Sequence, residues 1–127
     1  MQAKAIQRYV RITPRKCNQV LGLIRGQAVE HAQTTLQFTP KAGARIVQKV
    51  LKSAVANALH EGKVRLEDLY VKEAIVGAGP TLKRWLPRAQ GRATPMLKRT
   101  SHVSVTVATR EWPWDRRHTP SACAWAS

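Results

Sequence analysis

The sequence predicts an α+β domain in which three helices pack on a small three-stranded antiparallel sheet with a long protruding β-hairpin. Three observations lead there. Apolar residues recur at helical spacing in three runs before Gly62, and from Leu69 onward the apolar period shortens to two. Between the two strands of that second half lies GAGPTLKRWLPRAQGRATPMLKRTS, residues 77–101, with three prolines, three glycines, six basic residues and no acidic one. Ordinary connections run to about 4–6 residues, so this one is functional or disordered rather than incidental.

The elements follow in order. Residues 2–12 mix Ile6, Tyr9, Val10 and Ile12 with Lys4, Arg8 and Arg11, the pattern of a half-buried strand. Thr13 and Pro14 then read as an N-cap followed by a proline in the first helical position. Cys17, Val20, Leu21 and Ile24 continue at helical spacing until Gly26, giving a helix over about 14–25. A second helix fits 28–37, with Ala28, Val29, Ala32 and Leu36 on one face. Thr39-Pro40 repeats the start signal, and Ala42, Ile46, Val50, Ala54 and Ala58 recur every fourth residue, joined by Val47 and Leu51, until Gly62. Small residues at 54, 56 and 58 let this third helix lie close against whatever it covers.

Glu67 and Asp68 fall in the loop that follows. Leu69, Val71 and Ile75 alternate with Tyr70, Lys72, Ala74 and Val76, a strand with two moderately apolar faces. In the last strand Val103, Val105 and Val107 form a dry face and His102, Ser104 and Thr106 a wet one, and these two strands are expected to pair. Residues 1–110 make one domain, and 111–127, with two prolines and no period, a tail that is expected to be flexible yet carries three of the four tryptophans.

Charge narrows the partners. Lys and Arg number 22 against 7 acidic residues, a formal net charge of +15, and such a field binds polyanions, nucleic acid before anionic membrane. No apolar run is long enough to span a bilayer. The opening MQAKAIQRYVRI lacks the apolar segment of a signal peptide, from which a cytosolic or organelle-interior location is expected. Cys17 and Cys123 stand alone, which fits a reducing compartment, and Cys17 reads as a core residue.

Enzymatic chemistry finds no footing. His31, His60, His102 and His118 are scattered, no carboxylate pair sits near a histidine with catalytic spacing, and no phosphate-loop, dinucleotide or zinc motif is present. No cofactor or metal is expected. Tyr9 either stacks on a base or packs against its neighbours, and His102 is either an RNA contact or a plain surface residue.

If the strands near 70 and 105 pair as a hairpin, residues 77–101 continue it as a ribbon turning near Gly91, with arms of about 12 residues reaching roughly 35–40 Å. Lys83-Arg84 and Lys98-Arg99 then lie at corresponding depths on the two arms, clamping phosphates at the base, while Arg88 and Arg92 go deepest. A shapeless basic loop has the same composition, so glycine and proline content alone does not separate the two accounts.

The run GPTLKRWLPRAQGRATPMLKRTSHVSVTV, with SAVANALH before it and YVRITPRKCNQVLGLIRG near the start, resembles the bacterial-type large-subunit ribosomal protein twenty-two family over about residues 3–110. The resemblance implies a small α+β body on the outer surface of the large ribosomal subunit and a hairpin that threads inward to line the nascent-peptide exit tunnel. It implies binding to 23S-type RNA early in assembly. The expected partners are that RNA, neighbouring large-subunit ribosomal proteins and the nascent peptide, with no membrane, in a cytoplasmic ribosome or one inside an organelle.

Phosphate contacts are expected from Lys4, Arg8, Arg11, Arg15 and Lys16 in the body, and from Lys83, Arg84, Arg88, Arg92, Lys98 and Arg99 in the hairpin about Gly91. In the family, changes in the hairpin alter macrolide susceptibility, and the segment concerned corresponds here to Leu82, Lys83 and Arg84. Two features depart from the family. Trp85 stands where various apolar residues are tolerated, so it stacks on a base or narrows the tunnel. The tail after Arg110 has no counterpart, so Trp112, Trp114 and Trp125 stack on RNA, pack on a neighbouring protein or stay unordered. The rival readings are an architectural DNA-binding β-ribbon, which needs an apolar wedge where this tip reads RAQGRA, and a membrane-active cation, which needs a basic amphipathic helix.

Overall fold

The computed structural model describes residues 2–61 and 64–109. Gly62, expected to stop the third helix, and the expected tail 111–127 with Cys123 and the three tail tryptophans lie outside them. In chain order the elements are β1 (Gln2–Val10), α1 (Pro14–Ile24), α2 (Val29–Phe38), α3 (Ala42–Glu61), β2 (Leu69–Ala78), β3 (Leu82–Pro87), β4 (Ala93–Lys98) and β5 (Ser101–Thr109), with short 3-10 turns at Leu66–Asp68 and Ala89–Gly91. Strands β1, β5 and β2 form an antiparallel sheet in that order, and β3 pairs with β4 as a separate ribbon. The α+β architecture is therefore the one the sequence predicts.

Helix α1 forms where its caps say it should. Thr13 Oγ1 accepts from the Lys16 amide at 3.4 Å, Pro14 opens the helix, and Cys17, Val20, Leu21 and Ile24 are buried. Gly26 follows at φ +76°, a conformation that excludes most side chains, and its amide donates to the Val71 carbonyl at 3.0 Å. Val71 returns the bond to Gln27, and Ala28 bridges Tyr70, so this link also covers the outer edge of β2. Ala28 is thus the N-cap of α2 rather than its first residue.

The start of α3 differs from expectation. Thr39 ends α2, its hydroxyl donating to the Thr35 carbonyl at 2.6 Å, and α3 begins only at Ala42. Its buried stripe also departs from strict fourfold spacing. Ala42 is exposed and Ile46 half-buried, whereas Gly43, Val47, Val50, Leu51, Ala54 and Ala58 face inward. Four residues advance a helix by about 40° beyond a full turn, so a pure fourfold run walks off the buried face and threefold steps must bring it back.

The sheet explains three further departures. Of the apolar residues read in β1, Val10 is buried but Ile6 and Tyr9 are 50% and 65% exposed, and the other inward positions are Ala3 and Ala5. Helix α3 packs on β1, and Asn57, placed between the buried Ala54 and Ala58, donates to the Lys4 carbonyl at 3.1 Å. The buried residues next to this contact are alanines on both elements, Ala3 and Ala5 on β1 and Ala54 and Ala58 on α3. Ala56, by contrast, faces away.

Strand β2 carries a bulge between Val71 and Glu73, which switches the inward side from Leu69 and Val71 to Ala74 and leaves Ile75 54% exposed. The two apolar faces read from its sequence are one face displaced by an extra residue. Strand β5 lies in the centre, so its outer side is less wet than expected: Thr106 is buried, and His102 and Ser104 are half-buried. Ser101, fully buried, donates to the Ile12 carbonyl at 2.9 Å and lies 3.6 Å from the free thiol of Cys17, which is a core residue as expected.

Replacing Ala58 by Leu is expected to overpack this seam and destabilise the body by about 1–3 kcal/mol, a fall in Tm of several degrees by thermal circular dichroism. The exposed Ala56→Leu serves as the control and is expected to leave Tm within about a degree or two of the parent.

Candidate nucleic-acid interface

The ribbon is built by pairing Leu82 with Lys98, Lys83 with Leu97, Arg84 with Met96, Trp85 with Pro95, Leu86 with Thr94 and Pro87 with Ala93. The pairs are symmetric about Gln90, not Gly91. Lys83-Arg84 and Lys98-Arg99 are therefore not level, because Arg84 faces Met96 and Lys98 sits two pairs nearer the body. At the tip, Gln90 (φ +62°) and Gly91 (φ +73°) both take the left-handed conformation, and the Arg88 amide donates to the Arg92 carbonyl at 2.6 Å. Gly91 supplies the turn as expected, while Gln90 enters the same region with a side chain. Each paired arm has six residues, about 20 Å of ribbon, shorter than the arm of 12 read from the sequence.

Between ribbon and body the ladder stops. Residues 79–81 on one arm face only 99–100 on the other, so the first arm carries one extra residue. The joint is held by the Gly79 amide donating to the Thr100 carbonyl at 2.9 Å and by the Thr100 hydroxyl donating to the Pro80 carbonyl. A Cβ at Gly79 would lie 2.5 Å from that hydroxyl and 3.2 Å from the His102 ring, so glycine is required here by closeness of approach. His102 packs edge-on to Tyr9 with ring centroids 5.0 Å apart and accepts the Tyr9 amide at Nδ1, 3.1 Å. Tyr9 itself sits at φ +59° in the β1 bulge. The two residues whose roles the sequence left open thus form one structural corner at the root of the ribbon.

The ribbon's surface is less uniformly basic than its composition. All of 82–97 is exposed; Leu97 (47%) and Met96 lie opposite Lys83 and Arg84 toward the root, and Trp85 (64%) and Leu86 follow in pairs that hold no charge, with Arg88 and Arg92 flanking the tip. One side carries Lys83, Trp85, Pro87, Ala93, Pro95 and Leu97, the other Leu82, Arg84, Leu86, Thr94, Met96 and Lys98. Register alone reveals this division, because it depends on which residues lie opposite.

The body cations separate into two groups. Lys4 and Arg8 are exposed along β1, and Lys4 is level with Thr106 of β5. Arg11 and Lys16 lie instead beside the ribbon's root, where Arg11 Nη1 donates to the Arg99 carbonyl at 2.8 Å. Together with Lys98 and Arg99 they line an open cleft of about 580 Å3, which also takes in Lys41. Arg15 is exposed in the first turn of α1 but does not line it. Lys41 went unnoticed in the sequence because it stands in the loop before α3, and only the packing of α3 beside α1 brings it to the root. Among the described residues no group of His, Cys, Asp or Glu could hold a metal, and no helix is long and apolar enough to cross a membrane.

A small α+β body of strong positive charge, extended by an exposed ribbon free of acidic residues, has the form of a ribosomal protein. The comparisons specify which. The family described as Ribosomal protein L22p/L17e matches residues 5–108, and the chain belongs to it. "Large ribosomal subunit protein uL22" of Finegoldia magna is 54% identical over 111 residues, covering 87% of this chain and 99% of that protein. The proteins of the same name from Desulfitobacterium hafniense (56% over 110 residues, 87% and 96%) and Thermoanaerobacter sp. (54% over 111 residues, 87% and 100%) are similarly related. The family is one of structural ribosomal proteins and not an enzymatic one.

Two outcomes test this geometry. Gly79→Ala is expected to displace Thr100 from Pro80 and to lower Tm by about 4 °C, the shift for roughly 1 kcal/mol in a domain of this size, by differential scanning calorimetry. Removing residues 82–97, none of which is buried, is expected to leave one cooperative unfolding transition. Its loss would show that the ribbon is not an appendage.

Proposed function

We propose that the chain is a structural constituent of the large ribosomal subunit that binds its RNA and extends the ribbon into the peptide exit tunnel. The observation that carries this is the ribbon itself: a projection exposed throughout 82–97, with cations at root and tip and no acidic residue. An isolated two-stranded ribbon is marginal in water, so its order comes chiefly from the polyanion around it. Family membership supports the reading.

The body contributes phosphate contacts through Lys4, Arg8, Arg11, Arg15 and Lys16, the ribbon through Lys83, Arg84, Arg88, Arg92, Lys98 and Arg99. These position the protein rather than read bases. Trp85, exposed in mid-ribbon, stacks on a base or faces the tunnel lumen, where the nascent peptide passes. Neighbouring large-subunit proteins and a location on ribosomes, of the cytoplasm or of an organelle, complete the reading, and the body folds as one unit over 1–110.

Leu82, Lys83 and Arg84 open β3 beside the root. Deleting all three shortens one arm by an odd number, which cannot be absorbed without turning side chains to the opposite face of the ribbon. An altered macrolide response in ribosomes carrying that deletion is the expected outcome, measured by growth inhibition and by drug footprinting on the RNA.

The decisive measurement is co-sedimentation with large subunits combined with crosslinking from positions 8, 88 and 92. RNA crosslinks from both body and tip are expected. Retention on duplex DNA equal to or better than on large-subunit RNA at matched salt would overturn the proposal in favour of an architectural DNA-binding ribbon, although the tip Arg88–Ala93 offers no apolar wedge.

A further inference from the structure

We propose that the cleft between the ribbon root and the starts of α1 and α3 seats the backbone of one RNA strand, and that this strand clamps the ribbon to the body. The inference rests on the RNA-binding function proposed above and assigns it a specific seat. Five of the twelve lining residues are cationic and none is acidic: Arg11, Lys16, Lys41, Lys98 and Arg99 converge from three stretches of chain, 11–20, 41–43 and 97–99, that are far apart in sequence. Bringing five like charges to one cleft is unfavourable in the free protein, and a polyanion relieves it.

The shape selects the occupant. About 580 Å3 is more than one phosphate needs, and the cleft is open, so a chain can pass through it. Ile12, Val20 and Leu97 line it beside the cations, giving apolar surface for sugar between charged contacts for phosphates. The first turns of α1 and α3 hold no acidic residue, so nothing there competes with an incoming anion for the amides.

The clamp follows from which parts form the walls. One wall is the root of the ribbon, Leu97 to Arg99, and the other is the body, Thr13, Lys16, Lys41 and Gly43. In the free protein the walls are joined across the cleft by the Arg11 guanidinium on the Arg99 carbonyl. A strand touching both walls adds ties between them, and the direction of the ribbon relative to the body becomes fixed when RNA enters.

The test uses the full chain with Lys16→Gln, Lys41→Gln and Lys98→Gln combined, leaving Arg11 in place because it already holds the root. A control triple, Lys49→Gln, Lys52→Gln and Lys72→Gln, removes the same charge at exposed sites outside the cleft. Affinity for deproteinised large-subunit RNA is measured across salt, and the distance distribution between spin labels at Gln48→Cys and Gln90→Cys is recorded with and without RNA, in a Cys123→Ser background with Cys17 left buried.

The cleft triple is expected to flatten the slope of log affinity against log salt by about 2–3, as for two or three lost phosphate contacts, against 1 or less for the control. RNA is expected to narrow the label distribution in the parent and the control but not in the cleft triple. Equal slopes for the two triples, equal narrowing, or displacement of RNA by polyglutamate at matched charge concentration would each overturn the cleft as an RNA seat. A parent that does not prefer large-subunit RNA to duplex DNA overturns the underlying function instead, so the two failures are distinguishable.

Discussion

Everything in this molecule is arranged around the last strand. β5 pairs on one side with β1 and on the other with β2, and it supplies Val103, Val105 and Val107 to the core. The helices lie between β1 and β2 in the chain, so they reach the sheet on the side where those valines point. The ribbon is the connection from β2 to β5 lengthened past the body. Its starting direction is therefore set by the ladder it leaves, at Ala78 and Ser101.

Much of this was legible in the residues. The caps at Thr13 and Gly26, the dry face of β5 and the turn at Gly91 are local signals, each decided within a few residues, and each matches the fold. What local pattern could not carry was any feature decided by opposition. The bulge at Lys72 looks from sequence like a strand with two apolar faces, because period-two reading assumes an unbroken ladder. The inward side of β1 was missed because Ala3 and Ala5 are weak hydrophobic signals beside Ile6 and Tyr9, and their burial depends on how closely α3 approaches. Symmetry about Gln90 rather than Gly91 is a one-residue difference in the turn that relocates every pair on the ribbon.

The charged surface shows the same divide. Composition alone points toward a polyanion partner, and charge runs toward the ribbon. The convergence of Arg11 and Lys16 with Lys41, Lys98 and Arg99 is a property of packing, since Lys41 and Lys98 are 57 positions apart. The uncharged band formed by the pairs Trp85–Pro95, Leu86–Thr94 and Pro87–Ala93 was equally hidden: counted as a basic stretch, the ribbon conceals that the part between Arg84 and the tip holds no charge. Cations at the two ends suit contacts with backbone at the root and tip, and the intervening band suits bases or a surface that must not hold on to charge.

The central place of β5 also governs how the chain can fold as it is made. Its partners begin at Gln2, paired with Ala108, so the sheet cannot close until more than 100 residues are available. Contacts of such separation are slow to form, because the loop must be closed before they contribute. During synthesis the three helices emerge with their apolar faces uncovered and the basic ribbon emerges before the strand that anchors it. The basic segment is thus exposed to solvent before the body has a core.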